Sequence, residues 1–383
     1  MAYRIFVVLS LLASINALAQ SDSTKVIQDS TATPKDSLDK FDRFNQKAEA
    51  LFKILPVPLY SYSTEAGNIF GLAKFNLFNL SKKDTISKPS KLSEVATFSS
   101  KGRINISVTT ELVFNKNKNI ILAYVNYKKQ PEYIFGIGND VSKDSMEEVE
   151  TERIKFSATN LFLVAKNLYA GVPIDLSNYY KVKTDSNSFL KRESVTGLNG
   201  GFTFGIGLDA AYDTRDNRYN PYHGAYVLAV MLWHPEFLGS VYQYSRFDFD
   251  ARKYFNPWLN HVIAVQATTT STSGNVPFYD LAQLGGDSKM RGYYQGAFRD
   301  NVLVDAQVEY RMPVWKIFGV TTWVGTGRVA DGYHNLSLNG FKVSYGAGIR
   351  IKVDSKNNTN LRLDFGFGGN GLKGTYINFA EAF

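Results

Sequence analysis

The sequence predicts an all-β protein: a transmembrane antiparallel β-barrel of about sixteen strands, with one long extracellular loop folded back into its lumen. Three observations carry that prediction. The amino terminus reads as an export signal, apolar and polar residues then alternate over segment after segment, and a glycine-rich stretch around Arg291 interrupts the alternation late in the chain.

The export signal comes first. Met1 to Arg4 is short and basic, Ile5 to Ile15 is apolar, and Ala17-Leu18-Ala19 supplies the small-x-small cleavage pattern before Gln20. The apolar run falls short of the ~20 residues a membrane helix needs. Residues 1–19 are therefore expected to be a signal peptide, and no later run is long enough for a spanning helix. The chain has no cysteine, so nothing in its stability is expected from disulfides despite an exported destination. Its net charge of +8 is dispersed rather than gathered on a helix or patch, which excludes nucleic acid as the expected partner. Four scattered histidines, His223, His234, His261 and His334, offer no metal-ligand spacing, and no cofactor is expected.

Residues 20–40 are rich in Ser, Thr, Asp and Lys with no apolar period, the composition of a disordered linker. Phe41, Phe44, Ala48, Leu51, Phe52 and Leu55 then fall at three- and four-residue steps, one face of a short amphipathic helix over 41–55. Pro56 and Pro58 end it. Its simplest placement is at the periplasmic membrane surface; the alternative is a helix that plugs the barrel mouth.

From Pro56 to Phe383 the period is two. Val302, Val304, Ala306, Val308 and Tyr310 alternate with Asp305, Gln307, Glu309 and Arg311; Phe341, Val343, Tyr345, Ala347, Ile349 and Ile351 alternate with Lys342, Ser344, Gly346, Gly348, Arg350 and Lys352. A soluble sandwich also alternates, but its strands average about five or six residues, and these runs last about 9 to 14. The polar faces carry both signs, as in Arg246, Asp248, Asp250 and Arg252, which suits charges pairing inside a wet lumen. Tyr and Phe cluster at strand ends, where an aromatic girdle belongs.

Breaks in the alternation place strands near Pro58–Ser63, Asn68–Asn79, Leu92–Ser99, Ile104–Phe114, Asn119–Tyr127, Arg153–Val164, Leu168–Tyr179 and Gly201–Asp213. They continue near Ala225–Trp233, Tyr242–Phe255, Asn260–Thr270, Val302–Met312, Phe318–Ala330, Phe341–Val353, Asn360–Gly368 and Gly374–Phe383. With the last strand ending in the periplasm, the long gaps Lys128–Thr151, Tyr180–Asn199, Ser271–Asn301 and Asp331–Gly340 fall outside the cell. The short ones, Asn256–Leu259, Pro313–Ile317 and Asp354–Thr359, fall inside, the usual barrel asymmetry.

Four segments stand out within this pattern: Ser61-Tyr62-Ser63-Thr64-Glu65-Ala66-Gly67, Asp213-Thr214-Arg215-Asp216-Asn217 with Pro221 and Gly224, Met290-Arg291-Gly292-Tyr293, and the ending Tyr376 to Phe383. In this order they resemble the BamA and TamA family of outer-membrane barrels, the bacterial surface antigen family. The resemblance covers Pro56 to Phe383. It implies a sixteen-stranded barrel in the bacterial outer membrane that inserts other barrels or translocates proteins. It also implies that Met290-Arg291-Gly292-Tyr293 is the family's [V/I]-R-G-[F/Y] tetrad in the sixth extracellular loop, and that Phe379 and Phe383 form the carboxy-terminal barrel signal.

In the family the tetrad arginine docks on the inner wall, commonly on the aspartate of an F-x-D-x-G strand. The matching strand here reads Trp323-Val324-Gly325-Thr326-Gly327, with glycine in place of the acid. A guanidinium inside a barrel still requires a carboxylate, since it stays charged and its fork suits two oxygens. Glu309 is the expected partner, with Asp305 on the same face. Gly285, Gly286 and Gly292 allow tight turns and close approach, while Trp323, Gly325 and Gly327 form the wall the loop would meet. The Asp213–Gly224 segment reads as a periplasmic turn without a binding role.

Family insertases carry periplasmic POTRA modules ahead of the barrel, and Gln20 to Leu55 leaves no room for one. The expected function is a minimal assembly barrel, helping to insert proteins or remodel lipids through a weak seam between first and last strands. Pro56 and Pro58 cannot donate ladder hydrogen bonds there. Its partners would be outer-membrane lipids, unfolded outer-membrane proteins and periplasmic accessory proteins. A passive channel or structural barrel is the alternative. No nucleophile, histidine and acid cluster is suggested by spacing, so no enzymatic activity is expected.

Overall fold

The structure, a computed structural model, describes residues 55–63, 67–81 and 83–383. The signal peptide, the linker and all of the helix except Leu55 lie outside the described residues.

Sixteen antiparallel strands form one sheet, each paired with its neighbours in sequence order. The first eight are β1 (Val57–Ser63), β2 (Gly67–Phe78), β3 (Ser90–Ser99), β4 (Ile104–Phe114), β5 (Asn119–Ile134), β6 (Glu147–Ala165), β7 (Leu168–Thr184) and β8 (Gly201–Asp213). Then come β9 (Gly224–His234), β10 (Tyr244–Phe255) and β11 (Val262–Gly274). A small separate hairpin follows, β12 (Ala282–Leu284) with β13 (Phe298–Asp300), and the sheet resumes with β14 (Val302–Trp315), β15 (Phe318–Ala330), β16 (Lys342–Asp354), β17 (Thr359–Phe367) and β18 (Lys373–Phe379). The strands curl into a nearly closed barrel. Among the described residues β1 and β18 are neighbours without a hydrogen-bonded ladder between them.

The burial pattern is inverted relative to a soluble protein. On β14, Asp305, Gln307, Glu309 and Arg311 are buried while Val308 is 43% exposed. On β17, Arg362 and Asp364 are buried while Phe365 and Phe367 stand exposed. A water-soluble surface of this kind would favour aggregation. Against lipid it is the required arrangement: apolar side chains meet acyl chains and polar ones face inward.

Two departures from the predicted boundaries have physical causes. The span Lys128–Thr151 reads as a loop because charges occupy both faces and Pro131 sits within it. Instead β5 and β6 pair continuously out to Ile134 opposite Glu147, leaving only residues 135–146 as connection. A hairpin extending beyond the bilayer lies in water and needs no apolar face. The last strand is shorter than predicted, stopping at Phe379. Ala380 adopts a left-handed φ of 65°, and the final residues leave the wall. Phe383 is buried against Tyr254, Val262 and Ala264 of β10 and β11, so it does not close a lipid-facing strand.

The end of the barrel with the shorter turns is braced by its own chain. Asp84 accepts hydrogen bonds from Ser87 and from the Lys116 amide, tying turn 79–89 to turn 115–118. These bonds, the Ser87 hydroxyl foremost, hold the Asp84 carboxyl well below the usual carboxylate range. Residues 214–223 extend further. Tyr219 donates its hydroxyl to the Pro89 carbonyl, Asn217 donates to Asn357, and the Glu381 amide donates to Tyr219. The Asp213–Asn217 segment is thus a structural brace, joined by Arg215 and Arg218 to Asp213.

Candidate functional site

The stretch between β11 and β14 is shaped by glycine and then fastened by one arginine. Gly285, Gly286 and Gly292 adopt φ of 104°, 128° and 112°, values that L-residues rarely tolerate. The β12–β13 hairpin holds the base of the stretch. Leu284, Met290, Tyr293, Ala297 and Phe298 share one apolar cluster with Phe135, Leu303, Val329 and Leu372.

Arg291 is completely buried. Its Nη2 donates to Glu309 Oε2 at 2.5 Å and its Nη1 to Asp364 Oδ2 at 2.7 Å. The guanidinium carbon lies 3.8 Å from the Trp323 ring centroid, close enough for a cation–π contact. The backbone is fastened as well: the Ser344 hydroxyl donates to the Arg291 carbonyl, and the Gly292 amide donates to the Tyr376 hydroxyl. Tyr293 donates its hydroxyl to the Val343 carbonyl and accepts from the Gly369 amide.

Glycine on the wall makes room for these contacts. A Cβ on Gly292 would lie 2.5 Å from the Phe367 carbonyl carbon, and one on Gly366 would lie 2.7 Å from Arg291. Gly325 receives the Met290 sulfur and Gly327 the Leu284 side chain. Asp305 has another role: it accepts from the Thr268 hydroxyl at 2.6 Å rather than from Arg291.

Asp364 is the partner the sequence reading missed. The acid absent from the Trp323–Gly327 strand stands two strands further on, in Arg362-Leu363-Asp364-Phe365-Gly366, and that D-x-G spacing is the signal that would have found it. Asp364 also accepts from Arg350 and Arg362, and Glu309 accepts from Arg311. Arg350 reaches Glu381 beyond the last strand at 2.6 Å. Arg311 donates to the Phe383 main-chain oxygen at 2.8 Å. One buried network of alternating charges therefore links the glycine-rich stretch to the inward-turned carboxy-terminal residues. Each ion has opposite charges around it, the condition for tolerating burial.

A barrel with an apolar exterior, a polar interior and an arginine-anchored connection before its twelfth wall strand defines a membrane-spanning β-barrel class. The chain belongs to the Omp85 superfamily, whose domain model matches residues 68–379. It is an outer-membrane protein. Among solved structures it is similar to BamA from Haemophilus ducreyi lacking POTRA domains 1-3, at 14% identity and a TM-score of 0.54, covering 84% of this chain and 69% of that one. It is also similar to CdiB from Escherichia coli, at 8% identity and a TM-score of 0.53, covering 85% of this chain and 62% of that one. At these identities the likeness concerns the fold. No curated protein matches the chain.

Proposed function

We propose that this barrel assists the insertion of proteins into the outer membrane, its clients being unfolded outer-membrane proteins, and that it acts through the seam between β1 and β18. The observation that carries the proposal is the missing ladder. Among the described residues every other neighbouring pair in the wall is hydrogen-bonded, while these two seven-residue strands are not. An unpaired edge in lipid is costly, because no water satisfies its amides and carbonyls. An incoming strand supplies those partners, so the edge favours pairing with a client. In this reading Arg291 and its neighbours hold a loop inside the lumen and keep the wall beside the seam rigid, since Asp364 and Tyr376 lie on β17 and β18. Periplasmic accessory proteins and the surrounding lipids are the further partners.

The absence of native cysteine makes the test clean. Cysteines introduced in β1 and β18, chosen for spontaneous disulfide formation, are expected to abolish insertion of an unfolded barrel protein into proteoliposomes. Reductant should restore it. Unchanged insertion in the oxidised protein rules out the seam as the site of action.

A passive pore is disfavoured by the brace at residues 214–223, and by Asp287 and Ser288, which border both interior cavities of about 740 and 390 Å³. In this reading the loop tip divides the lumen.

A further inference from the structure

The larger cavity lies toward the end with the long connections, and one side of it is basic. Inward-facing positions just before β4 and along β5 and β6 bring together Arg103, Lys128, Arg153 and Lys155. The register explains the cluster: Lys128 sits opposite Asn105 on one side and Arg153 on the other, and Arg103 precedes Ile104, the partner of Lys129. Across the cavity stand Gly285, Gly286 and Lys289 of the anchored stretch.

The two lysines are already paired, Lys128 with Glu132 and Lys155 with Asp175, each at 3.0 Å. The two arginines are not. Among the described residues neither forms an ion pair, and two nitrogens of each, Arg103 Nε and Nη2 and Arg153 Nε and Nη1, are buried without a hydrogen-bond acceptor. Tyrosine rings lie alongside them instead, with Tyr133 at 5.6 Å from Arg103 and Tyr179 at 5.7 Å from Arg153. Buried donors without acceptors are costly, and a guanidinium fork matches a phosphate oxygen pair. Arg291, Arg311, Arg350 and Arg362 in this lumen meet carboxylates; here Glu132 and Asp175 are taken up by the two lysines, and Arg103 and Arg153 border a ligand-sized space without an ion pair among the described residues.

We infer that this cavity, about 740 Å³ in volume, binds a hydrophilic, phosphate-bearing solute, with Arg103 and Arg153 as its principal ligands. Its polar lining excludes an acyl chain. The wall beside it, β3 to β7, is continuously paired, so a bilayer lipid has no lateral route to it. The phosphate therefore arrives on a soluble molecule.

The test is isothermal titration of the full chain in zwitterionic detergent with glucose 1,6-bisphosphate, with glucose as neutral control. Nanodiscs containing phosphatidylglycerol serve as the lipid arm. The expected result is saturable binding of the bisphosphate but not of glucose, weakened by added salt and about tenfold weaker in R103Q/R153Q. An unheated gel band verifies folding of the variant. If the double variant does not fold, R103Q and R153Q singly should each weaken binding. No saturable bisphosphate binding, equal binding by folded variants, or binding confined to phosphatidylglycerol overturns the inference.

Discussion

Replacing Arg291 with alanine is expected to destabilise the barrel by about 3–5 kcal/mol, the usual cost of removing one partner from a buried ion pair. The reason lies in what stays behind. Glu309 and Asp364 are both fully buried, and each loses one of its cations while no water replaces it. The Trp323 ring loses the guanidinium packed on it, so its fluorescence reports the change directly. Arg291→Lys should fall between wild type and alanine, because an ammonium keeps the charge but cannot place two nitrogens on two separate carboxylates in the same way. Loss of the folded band at lower temperature on semi-native gels, with tryptic cleavage at Lys289 in intact membranes, measures both effects. A variant as stable and protease-resistant as wild type would mean that the arginine does not anchor the loop.

Gly292→Val is expected to act from the backbone side and by a similar amount. Its φ of 112° is strained for any L-residue and most for a β-branched one. Its Cβ would also collide with the Phe367 main chain, which is part of the wall and cannot give way. Strain and overpacking each cost about 1–3 kcal/mol. Gly286→Val separates the two contributions, since Gly286 shares the positive φ but faces open space. It should lose the strain part alone and keep Lys289 protected. Equal effects at both positions would contradict the close approach at Gly292.

Much of the wall was legible in the sequence, because a strand between lipid and a wet lumen must alternate. Where one face is apolar and the other small or polar, as on β4 and β8, the boundaries read from sequence coincide with the observed ones. Legibility failed where that constraint lifts. β5 and β6 extend beyond the bilayer, where either face meets water and charge no longer marks a loop. The last four residues failed for another reason. Phe383 fits an alternating strand, but the inward turn at Ala380 depends on Arg350, Arg311 and the far wall, which are distant in sequence. Asp364 was missed for a different reason: its D-x-G spacing is legible in the sequence, but it lies two strands from the strand that matches the family motif, and the barrel brings β14 and β17 around one arginine.

The most direct test of the proposed function is site-specific photocrosslinking during client assembly. A photoreactive residue at Leu59 on β1, at Ile377 on β18, or at Phe249 on the fully paired β10 would be challenged with an unfolded outer-membrane protein in proteoliposomes. Client adducts are expected at Leu59 and Ile377, forming during insertion and vanishing afterwards, with none at Phe249. Equal labelling at all three positions, or labelling at Phe249 alone, would contradict it.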